Sequence, residues 1–170
     1  MKSLIAMALV ALAAPGGAQE VPALPPARVI DSIEMETLSW GRPVTRWTID
    51  AQGNGRETRA EPNAFEAKAL VTRGFAVGTS GFRRMRVLLG RAEARGGADL
   101  PCADRMTDQP YGSVRWLRQS GSVAALAFDS GCRDSTARRV LDDLQAANAL
   151  VAGWAQAGKT IETREVEKPE

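Results

Sequence analysis

The chain has 170 residues, with 22 basic and 20 acidic side chains, two cysteines and no histidine. This length fits one domain with a sizeable core, and a formal net charge of +2 gives no general attraction to nucleic acid or membranes. The absence of histidine excludes serine–histidine and cysteine–histidine nucleophile pairs and histidine-ligated metal or haem sites.

The first residues have the three-part layout of a secretory signal peptide. Lys2 gives a positive start, residues 4–14 are apolar, and Gly16 and Ala18 supply small side chains before a cleavage point. The apolar run is shorter than the roughly 20 residues that a membrane span needs. We therefore predict a signal peptide over 1–18, and a periplasmic or secreted bacterial protein with no transmembrane segment after cleavage.

Residues 19–28 contain three prolines, which disfavour both helix and sheet, so this stretch is predicted to be an extended lead-in. A single domain is predicted over 29–165, followed by a tail over 166–170.

Alternating apolar and polar side chains predict strands in the first half of the domain. A strand is predicted over 29–39 and another around 45–49, followed by a turn rich in Gly and Asn at 51–55. The polar return strand, 56–60, is predicted to lie at a sheet edge. Residues 65–77 favour a further strand over a helix.

The second half is predicted to contain two amphipathic helices with a hairpin between them. The predicted elements are a helix from Thr79 or Ser80, either of which would cap it, to about residue 95; a hairpin of 112–119 and 122–129; and a helix over 136–157 capped by Asp134 or Ser135. Residues 160–165 are left open between a strand and a tail. The predicted fold is α+β, an antiparallel sheet of about 5–6 strands with two helices packed on one face.

The two cysteines, Cys102 and Cys132, are predicted to form one structural disulfide, because the signal peptide implies an oxidising compartment. Closing a loop of about 30 residues stabilises the fold by roughly 3–4 kcal/mol in the chain-entropy model. A redox pair would normally show the Cys-x-x-Cys spacing, which is absent.

Residues 153–160 match the phosphate-loop formula G-x-x-x-x-G-K-[ST]. That motif requires a strand before it and a helix after it, whereas here a helix is predicted to precede it. We interpret Gly158 as the end of that helix, with Lys159 near its negative dipole end. No cofactor and no metal are predicted.

Three arginines, Arg84, Arg91 and Arg95, fall on one side of the predicted first helix. Such a stripe can bind an acidic partner or an anionic envelope component, and a solvated helix face is the alternative. No aromatic residues are interleaved with it, so nucleic acid is not predicted as a partner.

Two carboxylates, Asp104 and Asp108, and the only tyrosine, Tyr111, lie in the loop that contains Cys102. Paired carboxylates can support hydrolysis or bind calcium, but no fixed spacing for either is met, and loop solvation is the alternative. Among four tryptophans, Trp40 is the candidate for an exposed position because it lies in a predicted turn beside Gly41.

Three short motifs carry a resemblance to a known family: Gly41-Arg-Pro43, Asp50-Ala-Gln-Gly53 and Thr107-Asp108-Gln-Pro110. Over about residues 28–157 the chain resembles a family of small exported bacterial domains of unknown function. In that family a glycine–proline stretch enters a strand, an aspartate–glycine turn follows, and a Thr-Asp-x-Pro element precedes a later hairpin. The resemblance implies no activity.

The sequence therefore predicts a non-enzymatic exported binding or envelope-associated protein, whose partner is another envelope protein or an anionic envelope component. One alternative is an inhibitor of a lytic enzyme or protease acting through the disulfide-anchored loop 99–111, and another is a carboxylate-dependent hydrolase. The candidate binding residues are Arg84, Arg91, Arg95, Asp104, Asp108 and Tyr111.

Overall fold

A computed structural model describes residues 30–118, 120–121 and 123–166. The elements are β1 (Ile30–Ser39), β2 (Arg42–Asp50), β3 (Asn54–Glu61), β4 (Ala69–Ala76), α1 (Gly78–Leu88), α2 (Gly90–Glu93), β5 (Tyr111–Arg118), β6 (Val123–Asp129), α3 (Ser135–Gln156) and β7 (Lys159–Glu165). The predicted signal peptide and lead-in lie outside the described residues, as do Gln119, Ser122 and most of the predicted tail.

Within the part of the chain that the structure describes, all strands belong to one sheet of seven antiparallel strands, in the order β6-β5-β1-β2-β3-β4-β7. The α+β class and the antiparallel sheet are confirmed. The predicted strand number of about 5–6 is wrong because β7 adds an edge strand from the stretch left open at 160–165. Helical structure is also divided among three segments rather than two.

The core is built from alternate side chains of the strands, as the period of two requires. Ile33 lies opposite Ile49 on β2 and Trp116 on β5, and all three side chains are fully buried. The helices contribute Met85 and Leu144 to the same core cluster. Burying each of these large side chains stabilises the fold by about 1.5–3 kcal/mol. We call this side of the sheet the core face and the opposite side the outer face.

The first predicted helix is interrupted at Leu89, where φ is −86° and ψ is 6°. Leu89 stays fully buried, and the residue after it, Gly90, has low helix propensity, which favours an interruption at this point. A second short helix, α2, follows the interruption. The predicted caps are wrong: Val77 occupies the N-cap position, and the start of α1 has no side-chain cap.

The long helix α3 confirms the predicted bounds to within one residue. Asp134 occupies its N-cap position, but its carboxylate does not cap the helix. Instead, its Oδ2 accepts a hydrogen bond from the Ala103 backbone N–H at 2.6 Å. A local capping interaction is thus replaced by a tertiary one that holds the loop around Cys102.

Strand β3 lies inside the sheet, between β2 and β4, so its predicted position at an edge is wrong. Its polar side chains are accommodated by partners on the same sheet. Glu57 is only 3% exposed, accepts a hydrogen bond from Thr45 and forms an ion pair with Arg59. Nearby, Glu61 raises the pKa of Arg73 through an ion pair of 2.5 Å.

The segment that matches the phosphate-loop formula runs from the end of α3 into β7, the reverse of the order that phosphate binding requires. Gly158 is needed for packing: a Cβ there would lie 2.0 Å from the Gly74 carbonyl oxygen. Among the described residues, no helix is long and apolar enough to cross a membrane.

Candidate functional site

Exposed apolar side chains are concentrated at one end of the sheet. At this end β1 turns into β2, the loop 62–68 joins β3 to β4, and the loop 99–110 enters β5. We call it the Trp40 end. The exposed large apolar side chains placed there are Trp40, Phe65, Met106, Tyr111 and Val166. A cluster of exposed large apolar side chains at one end of a fold is typical of an interaction site.

The turn between β1 and β2 presents Trp40 to solvent. Ser39 pairs with Arg42, leaving Trp40 and Gly41 as a two-residue loop in which φ is +51° and +74°. Positive φ at both positions defines a type I′ turn, whose first position is normally Asn, Asp or Gly. A bulky residue is strained in this region, yet Trp40 is 68% exposed, so burial does not offset the strain.

An apolar row extends from this turn across the outer face. Leu38 lies opposite both Tyr111 on β5 and Pro43 on β2, so these three side chains share one face of the sheet. Tyr111 is 40% exposed. Beyond Pro43 the row reaches a cavity of about 380 Å³, whose apolar lining includes Pro43, Ala64, Phe65, Leu70 and Val166.

The loop 99–110 is held rigidly beside this surface, and the predicted Cys102–Cys132 disulfide is confirmed, with a Cα–Cα distance of 5.7 Å. Backbone hydrogen bonds join the loop to the segment between β6 and α3: Met106 to Gly131, Arg133 to Asp104 and Ser130 to Pro110, each at 2.9 Å. An ion pair of 3.4 Å links Arg105 to Asp129. The loop is therefore a fixed support for Met106 and Tyr111.

The predicted arginine stripe is divided by the interruption at Leu89. Arg91 forms a bidentate ion pair with Asp143 of α3, at 2.8 and 2.6 Å. Arg84 is exposed and lines an apolar cavity of about 570 Å³ between α1 and α3, while Arg95 is half-buried beyond the end of α2. Since Arg91 is engaged within the fold, the three arginines do not form a row of free cations.

The predicted carboxylates are exposed but form no recognisable centre. Asp108 has a φ of +63°, and its side chain accepts a hydrogen bond from Thr107. Among the described residues, the one group of carboxylates and cysteines close enough to hold a metal contains Cys102, Cys132 and Asp134. Its two sulfur atoms are joined in the disulfide, so it is not a metal site.

Phe65 is a site residue that the sequence analysis placed wrongly, in a strand over 65–77. It lies in the loop before β4 and is 58% exposed. Asn63 Oδ1 accepts hydrogen bonds from the backbone N–H groups of Phe65 and Glu66, at 2.9 and 3.0 Å. The Pro62-Asn63 pair was the available signal, because both residues favour turns.

No protein-family model, no curated protein and no solved structure matches the chain. The resemblance to small exported bacterial domains therefore stays a prediction from three short motifs.

Proposed function

We propose that this chain is an exported, non-enzymatic binding protein that holds a protein partner at its Trp40 end. The observation that carries the proposal is Trp40 itself, which is exposed on a turn that disfavours it. Strained backbone that folding does not require is concentrated at functional sites. Tryptophan is also enriched among the few residues that dominate binding energy at protein interfaces.

The geometry of this end supports a preorganised contact surface. Trp40 lies on a two-residue turn, and Tyr111 and Met106 lie on or beside the disulfide-anchored loop. A backbone that holds these residues in place before binding lowers the entropy lost on association. The disulfide also supports export, because such bonds persist in oxidising compartments.

The charges at the Trp40 end favour a protein over an anionic membrane surface. Exposed anions and cations are mixed there, so this end offers no net positive surface to anionic head groups: the anions are Glu66, Asp104 and Asp108, and the cations are Arg42, Lys68 and Arg105. The arginine stripe offers less support for an anionic envelope component, because Arg91 is engaged with Asp143.

Cross-linking in cells, with mass spectrometry of the captured proteins, tests this proposal. We expect one dominant partner for the natural chain, and about 30-fold weaker binding for Trp40→Ala, which corresponds to the 2 kcal/mol of a strong interface residue. Val87→Ala is the matched control, since Val87 is 79% exposed on α1, away from the Trp40 end. Equal capture by Trp40→Ala and Val87→Ala would reject Trp40 as the anchor.

The alternative of an inhibitor acting through loop 99–111 is supported by one observation, the anchoring of residues 99–110 to the segment between β6 and α3. Inhibitors present a preformed loop to an enzyme cleft, and this loop is held by the disulfide and by three backbone hydrogen bonds to the segment between β6 and α3. Assays against lytic enzymes and proteases would separate this function from general binding: inhibition weakened more by Met106→Ala than by Trp40→Ala would favour it. Asp104 and Asp108 give no comparable support to a hydrolase.

A further inference from the structure

A cleft separate from the outer face lies where α3 crosses the core face near the Trp40 end. Its volume is about 340 Å³, at the small end of the range of about 300–1,000 Å³ for ligand pockets. Its apolar lining consists of Met35, Pro110, Phe128, Leu141 and Leu144. A cleft of this size suits a small molecule with one apolar group.

One side of the cleft has a fixed neutral amide. Asn148 Oδ1 accepts a hydrogen bond of 2.7 Å from Nε1 of the buried Trp47. This bond sets the orientation of the amide and directs its Nδ2 toward Thr37 Oγ1, at 3.4 Å. The polar groups of Asn148 and Thr37 are thus oriented before any ligand enters.

The mouth of the cleft carries one positive and one negative charge. Arg138 and Asp142 both line it and lie four residues apart on α3, which places their Cβ atoms about 5–6 Å from each other. Among the described residues, neither of them forms an ion pair. Both charges are therefore available to a ligand.

We infer that this cleft binds a small zwitterion with an apolar side chain, namely an apolar amino acid or a dipeptide. The ligand carboxylate pairs with Arg138, its ammonium group pairs with Asp142, and its side chain contacts the apolar lining. A ligand with a single charge satisfies only one of the two groups. This inference does not rest on the proposed partner binding.

Calorimetric titration of the purified protein tests the inference with four probes: leucine, leucyl-leucine, 4-methylpentanoate and 3-methylbutylamine. We expect at least one zwitterion to bind about tenfold more tightly than either singly charged analogue, a difference of about 1.4 kcal/mol. The zwitterion that binds more tightly shows whether the cleft takes a single amino acid or a dipeptide. Absence of binding by both zwitterions, or equal binding by the singly charged analogues, overturns the inference.

Variants on α3 locate the site. Arg138→Gln and Asp142→Asn are each expected to weaken the zwitterion about tenfold, whereas Arg139→Gln is the matched control, because Arg139 is an exposed neighbour outside the cleft lining. An equal loss in Arg139→Gln would contradict the assignment. As a second readout, the indole N–H resonance of Trp47, which is bonded to Asn148, should shift on binding while that of Trp116 does not.

Discussion

The two turns that flank β2 both require residues with positive φ, but they differ in how well their residues suit that conformation. In the β2–β3 turn, Asp50 Oδ1 accepts hydrogen bonds from the backbone N–H groups of Gln52 and Asn54, both at 2.9 Å. Gly53 supplies the positive φ of 83° and accepts a hydrogen bond from Val77 through its carbonyl. Every one of these residues suits the conformation that it adopts.

The β1–β2 turn has tryptophan at a position where asparagine would be less strained. Its two residues, Trp40 and Gly41, have positive φ, and Trp40 remains mostly exposed. The residues of the β2–β3 turn favour its conformation, whereas the β1–β2 turn holds an exposed side chain that disfavours its conformation, as the proposed binding role requires. Backbone strain together with exposure of a large apolar side chain is typical of an interaction site.

The largest effect is expected from Gly53→Ala. A Cβ at this position would lie 2.0 Å from the carbonyl oxygen of Gly78, so steric overlap adds to the backbone strain. We expect a loss of about 3 kcal/mol in the free energy of unfolding, measured by urea denaturation. Gly41→Ala is the matched control: φ is similarly positive but no atom lies within 4 Å of its Cβ, so the loss should be about 1 kcal/mol. Equal losses would mean that the contact with Gly78 does not matter.

Asp50→Ala should have an intermediate effect. It removes the acceptor of two backbone hydrogen bonds and of a third from the Asn54 side chain. The expected loss is about 1–2 kcal/mol, because these bonds are partly exposed. Asp50→Asn, which keeps an oxygen at the Oδ1 position, should lose less, and a larger loss in Asp50→Asn would show that the negative charge is what matters.

Trp40→Asn should change stability least and in the opposite direction. Asparagine tolerates the left-handed conformation, so we expect the free energy of unfolding to rise by about 1 kcal/mol. Capture of the partner in the cross-linking experiment should fall at the same time. A variant that becomes less stable would show that Trp40 contributes to folding, and the contrast between the two turns would then disappear.

The strands were predictable where one face is buried, because alternation such as Ile33, Met35 against Glu34 reports burial directly. The interior position of β3 was not predictable, because its polar residues are typical of an edge strand. The buried Glu57 accepts a hydrogen bond from Thr45, which lies on another strand and is 12 residues away in the sequence. The interruption at Leu89 also depends on tertiary packing.

For the candidate site, the predicted turn beside Gly41 indicated that Trp40 is exposed. The two cysteines predicted the disulfide that anchors the loop around Cys102. Two features depend on how the helices pack on each other and on the sheet, and the sequence alone does not predict them. One is the ion pair between Arg91 and Asp143, and the other is the cleft that is lined by Arg138, Asp142 and Asn148. Sequence periodicity fixes which residues share a helix face, but not what faces them.

The position of β1 inside the sheet, between β5 and β2, has a consequence for the order of folding. It pairs on one side with its neighbour β2 and on the other with β5, whose partner residues are 73 to 88 positions away. The meander from β1 to β4 closes through local loops, whereas two pairings join distant parts of the chain: β1–β5, and β4–β7 with separations of 85 to 96 positions. We therefore expect these two pairings to form late and to limit the folding rate. Because the β1–β5 pairing brings Tyr111 beside Leu38, the outer-face part of the proposed binding surface forms late in folding.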